Sequence, residues 1–373
     1  MKKFVVLSVL FFVALAFMGT ASADDEVVVN PGAASVFAEL PPGVPFPEGI
    51  TADAEGNIYV GTFIFGSGNQ LLKFDSSGTL RAQFDFGGEP LLGLAFNPRD
   101  NKVYICNVGI LNGFGPSRIQ RIDTDLIGPV EDVAIIASVA GGGGIGAPPD
   151  RTVVNPDTST DTTTFGNFAA APNALAFNRK GDLFVSDSFQ GAVFKIKNPT
   201  KSRNVCPTND RCVKTVAHDG LLATAGFPPF GANGIALSSN EKTAYVANTG
   251  DDRILAVDLK KGNVSVFVES INGADGLAYG GDGILWVAAN QADQVIALDE
   301  GGRVRAKLGD FLRFEDGKVD GLLFPASLVI VGDDIFVTNL AFPLGSAPDE
   351  PEADTDLTTY TVSTIEIPDD LSD

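Results

Sequence analysis

Short apolar segments alternate with polar turns along most of the chain. The most regular of them are apolar runs that read IYVGTF, VYICNV, LFVSDS, AYVANT, LWVAAN and IFVTNL. Turn sequences such as AEGN, PRDN and RKGD lie just before these runs. Short strands bounded by turns rich in Gly, Asn and Asp are typical of an all-β protein. The pattern therefore predicts strands throughout.

A short phrase opens each repeat and occurs six times. The copies read PEGI, LLGL, PNAL, ANGI, ADGL and PASL, at 47–50, 91–94, 172–175, 232–235, 274–277 and 325–328. They recur at intervals of about forty residues or more, and several strands per interval are typical of propeller blades. The sequence thus predicts an all-β, six-bladed β-propeller. We expect the segment 359–367 in blade six, and 35–40 as the outer strand that closes the ring.

The N-terminal residues have the features of an export signal. Two lysines precede an apolar run, and a small-x-small cleavage motif ends at Ala23. The sequence predicts a signal peptide over 1–23 and a single propeller domain over 24–373. A flexible insertion is expected near 141–171 and an acidic loop near 348–356. We expect a secreted or periplasmic protein, with a retained N-terminal anchor as the alternative.

Charge and composition exclude several classes of partner. The chain has 47 acidic and 26 basic residues and a formal net charge of −21. Such a surface repels nucleic acid and anionic lipid. We therefore expect no nucleic-acid partner and no membrane contact after signal cleavage. Nothing in the sequence requires more than a monomer.

Three cysteines and a single histidine limit the available chemistry. Cys206 and Cys212 flank a polar loop, and because export permits disulfides, they are predicted to form a bridge. Cys106 lies in an apolar strand and is predicted to be a buried free thiol. Any histidine-dependent nucleophile or zinc site would have to use His218, which we place in a loop, either solvated or lining the pocket.

The second letter of the repeated phrase contains the candidate chemistry. The aligned residues are Glu48, Leu92, Asn173, Asn233, Asp275 and either Ala326 or Ser327. Because the first strand of a propeller blade lies innermost, these side chains are expected on one ring at the channel mouth. Two carboxylates and two amides form an all-oxygen set that fits a hard divalent cation, Ca²⁺ ahead of Mg²⁺ or Zn²⁺.

Each of these residues also has a plainer interpretation. A single Asn or Asp before a strand more often caps a turn than binds a metal, so the prediction rests on four residues together. A further set of polar residues ends the second strands: Asn107, Asp187, Asn248, Asn290 and Asn339. For most of these we expect turn capping, and for some a supporting layer around the ring or contacts to substrate hydroxyls.

The order of these motifs resembles the gluconolactonase, senescence-marker-protein and luciferin-regenerating-enzyme family of six-bladed propellers. The similarity covers roughly residues 35–345 and extends to the related diisopropylfluorophosphatases. It implies a divalent cation in the channel, bound by Glu48, Asn173, Asn233 and Asp275, with Asp275 as general base or nucleophile. The phrase PASLVI lacks the Asn and His of the phosphatase-like members, so their second calcium is not expected.

Two functions from different classes follow. The first is a secreted, divalent-metal-dependent hydrolase of a small-molecule lactone or ester, similar to gluconolactonase. The alternative is a non-catalytic exported propeller that binds a ligand or a protein partner. A propeller similar to strictosidine synthase, without a metal, is disfavoured by the four polar ring residues.

Overall fold

Strands are the main regular element in the described part of the chain, in a computed structural model. It describes residues 34–136, 151–154, 157–163, 170–201, 206–207, 213–224, 226–281, 283–343 and 357–371. The predicted signal peptide, the acidic loop near 348–356 and much of 141–171 lie outside these ranges. Among the described residues there is no α-helix, and none of the helical turns is long and apolar enough to cross a membrane.

Six sheets form the blades of a β-propeller, which confirms the predicted fold. The first described strand is β1 (Ser35–Glu39). Blade one contains β2 (Pro47–Ala52), β3 (Ile58–Thr62), β4 (Asn69–Phe74) and β5 (Leu80–Gly87). Blade two contains β6 (Leu91–Asn97), β7 (Lys102–Asn107), β8 (Arg118–Asp123) and β9 (Glu131–Ile135). A separate hairpin follows, with β10 (Arg151–Val154) and β11 (Thr160–Thr163).

The remaining blades repeat this order. Blade three contains β12 (Pro172–Phe177), β13 (Leu183–Asp187), β14 (Ala192–Ile196) and, after the short β15 (Cys206–Pro207), β16 (Val213–His218). Blade four contains β17 (Ala232–Leu237), β18 (Thr243–Asn248), β19 (Arg253–Asp258) and β20 (Val264–Glu269). Blade five contains β21 (Ala274–Tyr279), β22 (Leu285–Ala289), β23 (Gln294–Leu298) and β24 (Val304–Leu308).

Blade six closes the ring with strands from both ends of the chain. A hairpin of β25 (Phe311–Glu315) and β26 (Lys318–Gly321) precedes it, and its own strands are β27 (Pro325–Val331), β28 (Asp334–Asn339) and β29 (Thr361–Glu366). Strand β1 pairs antiparallel with β29 as the fourth strand. This confirms the predicted closure, which leaves no free edge between the first and last blades.

Short 3-10 turns join some strands, and several details differ from the prediction. The turns lie at Gly109–Asn112, Pro199–Lys201, Gly220–Leu222, Asn290–Ala292 and Asp369–Leu371. Strand β15 adds to blade two in parallel with β9, which was not predicted. The β10–β11 hairpin lies within the insertion that was expected to be flexible.

The cysteine and histidine predictions have different outcomes. Cys106 is a fully buried free thiol, as predicted, and burial raises its pKa well above the usual value. Cys212 lies outside the described residues, so the bridge to Cys206 stays a prediction. The loop placement of His218 is wrong, because the residue ends β16 and pairs with Ala192.

The second strands of blades one, three and five are buried along their whole length. All five residues of β3, β13 and β22 are buried. Both faces of these strands pack against neighbouring blades, which is why their sequences are continuous apolar runs and do not alternate. Outer strands such as β5 and β20 expose more of their residues. The core therefore lies between blades, and it supports the inner strands that line the central channel.

Each innermost strand begins with the same irregularity. The register with the second strand shifts by one residue between Pro47 and Ile50 in blade one. The same shift lies between Leu91/Leu94, Pro172/Leu175, Ala232/Ile235, Ala274/Leu277 and Pro325/Leu328. A β-bulge of this kind reorients the side chains within it. The repeated phrase thus encodes six equivalent bulges around the channel.

Candidate metal centre

The four predicted ligands lie inside these bulges, each at the second position of its strand. Glu48, Asn173, Asn233 and Asp275 are 5%, 2%, 5% and 4% exposed. All four line one cavity of about 340 Å³. Side chains from blades one, three, four and five are therefore brought together as the sequence predicts. Their role as metal ligands stays a prediction.

The strand register decides the alignment of the sixth copy. Pro325 pairs with Asn339 as Pro47 pairs with Thr62, so Ala326 is the residue equivalent to Glu48. Ser327 is the next residue, and its backbone N–H donates to Thr338 Oγ1 at 3.0 Å. The ring thus has an apolar residue in blade six, and in blade two it has Leu92.

In four of the six blades, adjacent inner strands approach so closely at the centre that the residue after the ring position has to be glycine, whereas Ala174 and Ser327 occupy this position in blades three and six. A Cβ atom on Gly49 would lie 2.2 Å from the Leu92 carbonyl oxygen, and one on Gly234 would lie 2.2 Å from the Asp275 carbonyl oxygen. Real Cβ atoms do not come so close to backbone oxygens. The glycines of the repeated phrase therefore set the spacing between the ring residues.

A second ring of residues supports the first. In each blade, the first residue of the repeated phrase pairs with a residue at the end of the second strand, and the next residue along that strand belongs to the second ring. These residues are Phe63, Val108, Ser188, Thr249, Asn290 and Leu340. These residues are polar in blades three, four and five and apolar in blades one, two and six. The polar members lie in the same blades as Asn173, Asn233 and Asp275. Of the four polar residues in the first ring, only Glu48 has an apolar second-ring residue in its own blade.

Hydroxyl groups of the second ring fix the orientation of both ring amides. Asn173 Nδ2 donates to Ser188 Oγ at 3.0 Å, and Ser188 Oγ donates to the Ala232 carbonyl at 2.8 Å. Because the hydroxyl proton is used by the carbonyl, the oxygen can only accept from the amide NH₂ group. The carbonyl oxygen of Asn173 is thereby set as the group available to a cation.

Blade four repeats this arrangement. Asn233 Nδ2 donates to Thr249 Oγ1 at 2.9 Å, and Thr249 Oγ1 donates to the Ala274 carbonyl at 2.7 Å. In each case the accepting carbonyl belongs to the next blade. The same hydrogen bonds that orient the amides therefore join blade three to four and blade four to five.

The two carboxylates have one unsatisfied oxygen each. Asp275 Oδ2 accepts from Asn290 Nδ2 at 3.0 Å. Glu48 Oε2 and Asp275 Oδ1 are buried and have no hydrogen-bond partner among the described residues. Burial raises the pKa of both groups, and the charge of Asp275 contributes to the shift of Glu48. Hydrogen bonds from Asn290 and Asn233 offset this only in part for Asp275.

This donor set fits a divalent cation. Buried anionic oxygens without partners are costly unless a positive charge neutralises them. The described residues contain no group of three or more His, Cys, Asp or Glu side chains that could hold a metal, and a cation at this position would need the two amide oxygens beside the two carboxylates. Oxygen donors suit Ca²⁺ or Mg²⁺, and the low number of protein ligands leaves positions for water or substrate.

Most other polar residues at the strand ends are structural. Asn107 Oδ1 accepts from the backbone of Gly109, and Asn248 Nδ2 donates to the carbonyls of Leu221 and Ala223. Asp187 and Asn339 also hold loop backbone. Only Asn290 of the five lines the cavity.

From the sequence, Asn290 was grouped with the residues that end the second strands, although it lies one position after that end. Ala274 pairs with Ala289, so Asn290 is equivalent to Ser188 and Thr249 and differs in position from Asp187 and Asn248. The second ring could have been predicted from the runs LFVSDS and AYVANT, because in both a hydroxyl residue follows the residue that caps the turn. The sequence reasoning missed it.

Above the polar hub the cavity wall is aromatic. It contains seven phenylalanines, which are Phe63, Phe65, Phe189, Phe227, Phe230, Phe324 and Phe342. No Lys, Arg or His is among the described residues that line it, and His218 lies elsewhere. This wall was also not predicted, because apart from Phe63 its members come from loops with no shared motif.

Comparison with known proteins agrees with the fold. Residues 217–309 match the family described as SMP-30/Gluconolactonase/LRE-like region, which confirms the predicted resemblance over that stretch, with Asn233 and Asp275 inside it. No curated protein sequence gives a significant match to the chain.

Several solved structures share the propeller fold. A luciferin-regenerating enzyme is 14% identical, with a TM-score of 0.59 and coverage of 90% of this chain and 95% of its own. Regucalcin from Agrobacterium tumefaciens strain C58, described as a calcium-binding protein, is 17% identical, with a TM-score of 0.57 and coverage of 91% and 95%. A streptogramin B lyase is 11% identical, with a TM-score of 0.53 and coverage of 90% and 98%. At these identities the likeness shows the fold alone.

Proposed function

We propose that this protein is a divalent-metal-dependent hydrolase of small lactones or esters. The observation that carries the proposal is the pair of buried carboxylates, Glu48 and Asp275, each with an unpartnered oxygen in one cavity. The family match over 217–309 supports a lactonase-type activity. Calcium is the first choice of cation, because the donors are all oxygen and regucalcin is described as calcium-binding.

The residues of the hub have separate roles in this proposal. Glu48, Asn173, Asn233 and Asp275 would hold the cation, whose chemistry when bound is to polarise a carbonyl group and stabilise negative charge on its oxygen. Asn290 holds one oxygen of Asp275 through a hydrogen bond. The other oxygen, Oδ1, has no hydrogen-bond partner in the described part of the chain and is the candidate to accept a proton from water or to attack the carbonyl carbon directly.

Asp275 would be a weak base while it binds a cation, because the positive charge lowers its pKa. A weak base suits reactive acyl groups more than amides. Lactones and activated esters are therefore the expected substrates. The four ring residues are also nearly fully buried, and electrostatic interactions are stronger in such surroundings than in bulk water.

Conservative variants test this function directly. Asp275→Asn and Glu48→Gln keep the shape of the side chains and remove one negative charge each. We expect both to lose cation binding by calorimetry and to lose hydrolysis of a lactone and ester panel by at least about 100-fold. Glu55→Gln is the matched control, since Glu55 is exposed on a turn and outside the cavity.

The possible outcomes separate the two functional classes. Hydrolysis that persists in Asp275→Asn, or after thorough chelation, contradicts the proposal. Cation binding without turnover of any lactone or ester favours the alternative, a non-catalytic ligand-binding propeller. Equal cation affinity in wild type and both variants contradicts the metal centre itself.

Export is a separate part of the proposal. The basic N-terminus, apolar run and small-x-small motif support cleavage after Ala23. Expression of the full chain in a secreting host should yield a protein that begins at Asp24, as measured by N-terminal sequencing. A protein that keeps Met1 and stays with the membrane fraction would support the retained anchor.

A further inference from the structure

The cavity has a polar end and an apolar end, and this division bears on which substrates it accepts. Charged and amide groups are confined to the hub, where Glu48, Asn173, Asn233 and Asp275 lie. The wall above them is built from phenylalanine, proline and leucine side chains. We propose that the substrate is an uncharged lactone or ester with an alkyl or aromatic substituent, and that polyhydroxylated sugar lactones are poor substrates. This inference rests on the proposed hydrolase function.

Few polar groups of the cavity would remain for substrate hydroxyls once a cation is bound. Glu48 Oε2 and Asp275 Oδ1, which have no hydrogen-bond partner among the described residues, would then face the cation. Thr249 Oγ1 donates to the Ala274 carbonyl and accepts from Asn233. Asn290 Nδ2 donates to Asp275, which leaves Asn290 Oδ1 as a buried acceptor without a hydrogen-bond partner among the described residues. One such acceptor cannot satisfy several hydroxyls, and each buried hydroxyl without a partner disfavours binding.

Charge leads to the same conclusion. Glu48 and Asp275 are the only titratable groups among the described residues that line the cavity. A divalent cation would neutralise them and leave no positive charge for a second anion. Carboxylated or phosphorylated substrates would therefore bind without a counter-charge, at a desolvation cost that nothing in the cavity repays.

The aromatic wall is a continuous surface. The ring of Phe63 lies 4.9 Å from Phe65, 6.3 Å from Phe342 and 6.5 Å from Phe230, measured between centroids. Phe189 lies 5.5 Å from Phe230. Rings that contact one another lose little conformational freedom when a ligand binds, so an apolar substituent meets a preformed surface.

Two phenylalanines at the mouth are exposed in the free protein. Phe65 and Phe227 line the cavity and are 58% and 55% exposed to solvent. An apolar substituent that covers them removes this apolar surface from water, which favours its binding.

A matched set of δ-lactones tests the inference. The set contains δ-lactones with alkyl chains of increasing length and glucono-δ-lactone, which has the same ring size. We expect kcat/KM to rise about fourfold for each added methylene until the wall is covered. The longest alkyl lactone should exceed glucono-δ-lactone by at least about 100-fold. Equal or higher kcat/KM for the sugar lactone overturns the inference while leaving the hydrolase function intact.

A pair of exposed phenylalanines provides the variant and its control. Phe65→Ala removes a rim side chain and should lower kcat/KM for the alkyl lactones several-fold, with unchanged cation affinity. Phe114 is 53% exposed and does not line the cavity, so Phe114→Ala should have no effect. An unchanged alkyl preference in Phe65→Ala contradicts the role of the wall.

Failure of the proposed function is distinguishable from failure of this inference. If no lactone is hydrolysed, the corresponding alkyl and polyhydroxylated lactams are titrated by calorimetry. Alkyl lactam binding that weakens in Phe65→Ala supports an apolar ligand and rejects hydrolysis. Equal affinities for both lactams, or no binding of either, overturns the apolar preference.

Discussion

The amide of Asn290 donates a hydrogen bond of 3.0 Å to Oδ2 of Asp275, and both residues line the cavity. The bond joins the end of the second strand in blade five to the bulge of the first. It uses one carboxylate oxygen and holds the plane of the group, so that the second oxygen keeps a fixed direction. In blades three and four, hydroxyl groups of the second ring hold the amides of the first ring in a similar way, so the polar members of the second ring support the first.

Removing this support should weaken cation binding. Asn290→Ala leaves Asp275 Oδ2 without its donor, and partners of this kind typically contribute about 10- to 100-fold to metal affinity. We expect a loss in that range by calorimetry with Ca²⁺. Asn272→Ala is the control, because Asn272 is exposed, donates to the carbonyl of Gln291 and is not among the described residues that line the cavity. Unchanged affinity in Asn290→Ala would show that Asp275 does not depend on this bond.

The hydroxyl of Thr249 allows a matched pair of substitutions. Thr249→Val preserves the shape and removes the hydroxyl, so Asn233 loses an acceptor and the Ala274 carbonyl loses a donor. We expect a loss of about 1–3 kcal/mol in the free energy of unfolding and about tenfold weaker cation binding.

Thr249→Ser keeps the hydroxyl and serves as the comparison. It should retain cation affinity close to that of wild type, with a small loss of stability from the missing methyl group. If the two variants bind the cation equally, then the orientation of the Asn233 amide does not require the hydroxyl. Denaturant unfolding and calorimetry on the same samples separate the two effects.

Much of this architecture could be predicted from the sequence, because each blade repeats one local pattern. The apolar runs that become β3 and β22 are buried on both faces, and the phrase at 47–50 recurs at every bulge. The pairing of β1 in the last blade was predicted because an unpaired sheet edge has to be covered. Glu48 and Asp275 were found because one aligned position varied among oxygen-bearing residues.

Other features were missed for different reasons. Asn290 is the last residue of LWVAAN and aligns with Ser188 in LFVSDS, so its equivalence could have been read from the sequence, but it was grouped with residues one position earlier in their strands. The aromatic wall could not be predicted, because most of its members lie in loops without a shared pattern. The aromatic wall unites Phe63, Phe230 and Phe342 from three blades or connections. Their convergence is a property of the closed ring alone.

The glycines of the repeated phrase should tolerate no side chain. A Cβ atom on Gly234 would lie 2.2 Å from the Asp275 carbonyl oxygen. Gly234→Ala must therefore push blades four and five apart, and we expect a loss of about 1–3 kcal/mol or more in the free energy of unfolding. Cation affinity should fall as well, since the displaced backbone holds Asp275.

Gly281→Ala is the matched control for this substitution. Nothing lies within 4 Å of a Cβ atom at Gly281, which is exposed on a turn. Its free energy of unfolding should stay within about 0.5 kcal/mol of wild type. A Gly234→Ala protein as stable as Gly281→Ala would show that the hub is looser than the contact distance indicates.

The only histidine provides a pH dependence that is separate from the hub. His218 is half-buried at the end of β16, and burial lowers its pKa, while a hydrogen bond to the Gln190 backbone and the charge of Asp219 offset this only in part. The imidazole therefore takes up a proton more readily in the unfolded chain, whose histidine has a pKa of about 6.5. Stability should fall as pH decreases through 6.5 towards the lowered native pKa.

The size of this effect is limited by the exposed part of the ring. We expect a loss below about 1 kcal/mol, because solvent screens a half-exposed charge. His218→Gln removes the titrating group, so its unfolding free energy should show a shallower decline than wild type between pH 7.5 and about 5.5. Denaturant unfolding of both proteins at matched pH gives the difference. Parallel curves would mean that His218 has the same proton affinity in the folded and unfolded states, and a steeper wild-type rise on acidification would reverse the assigned sign.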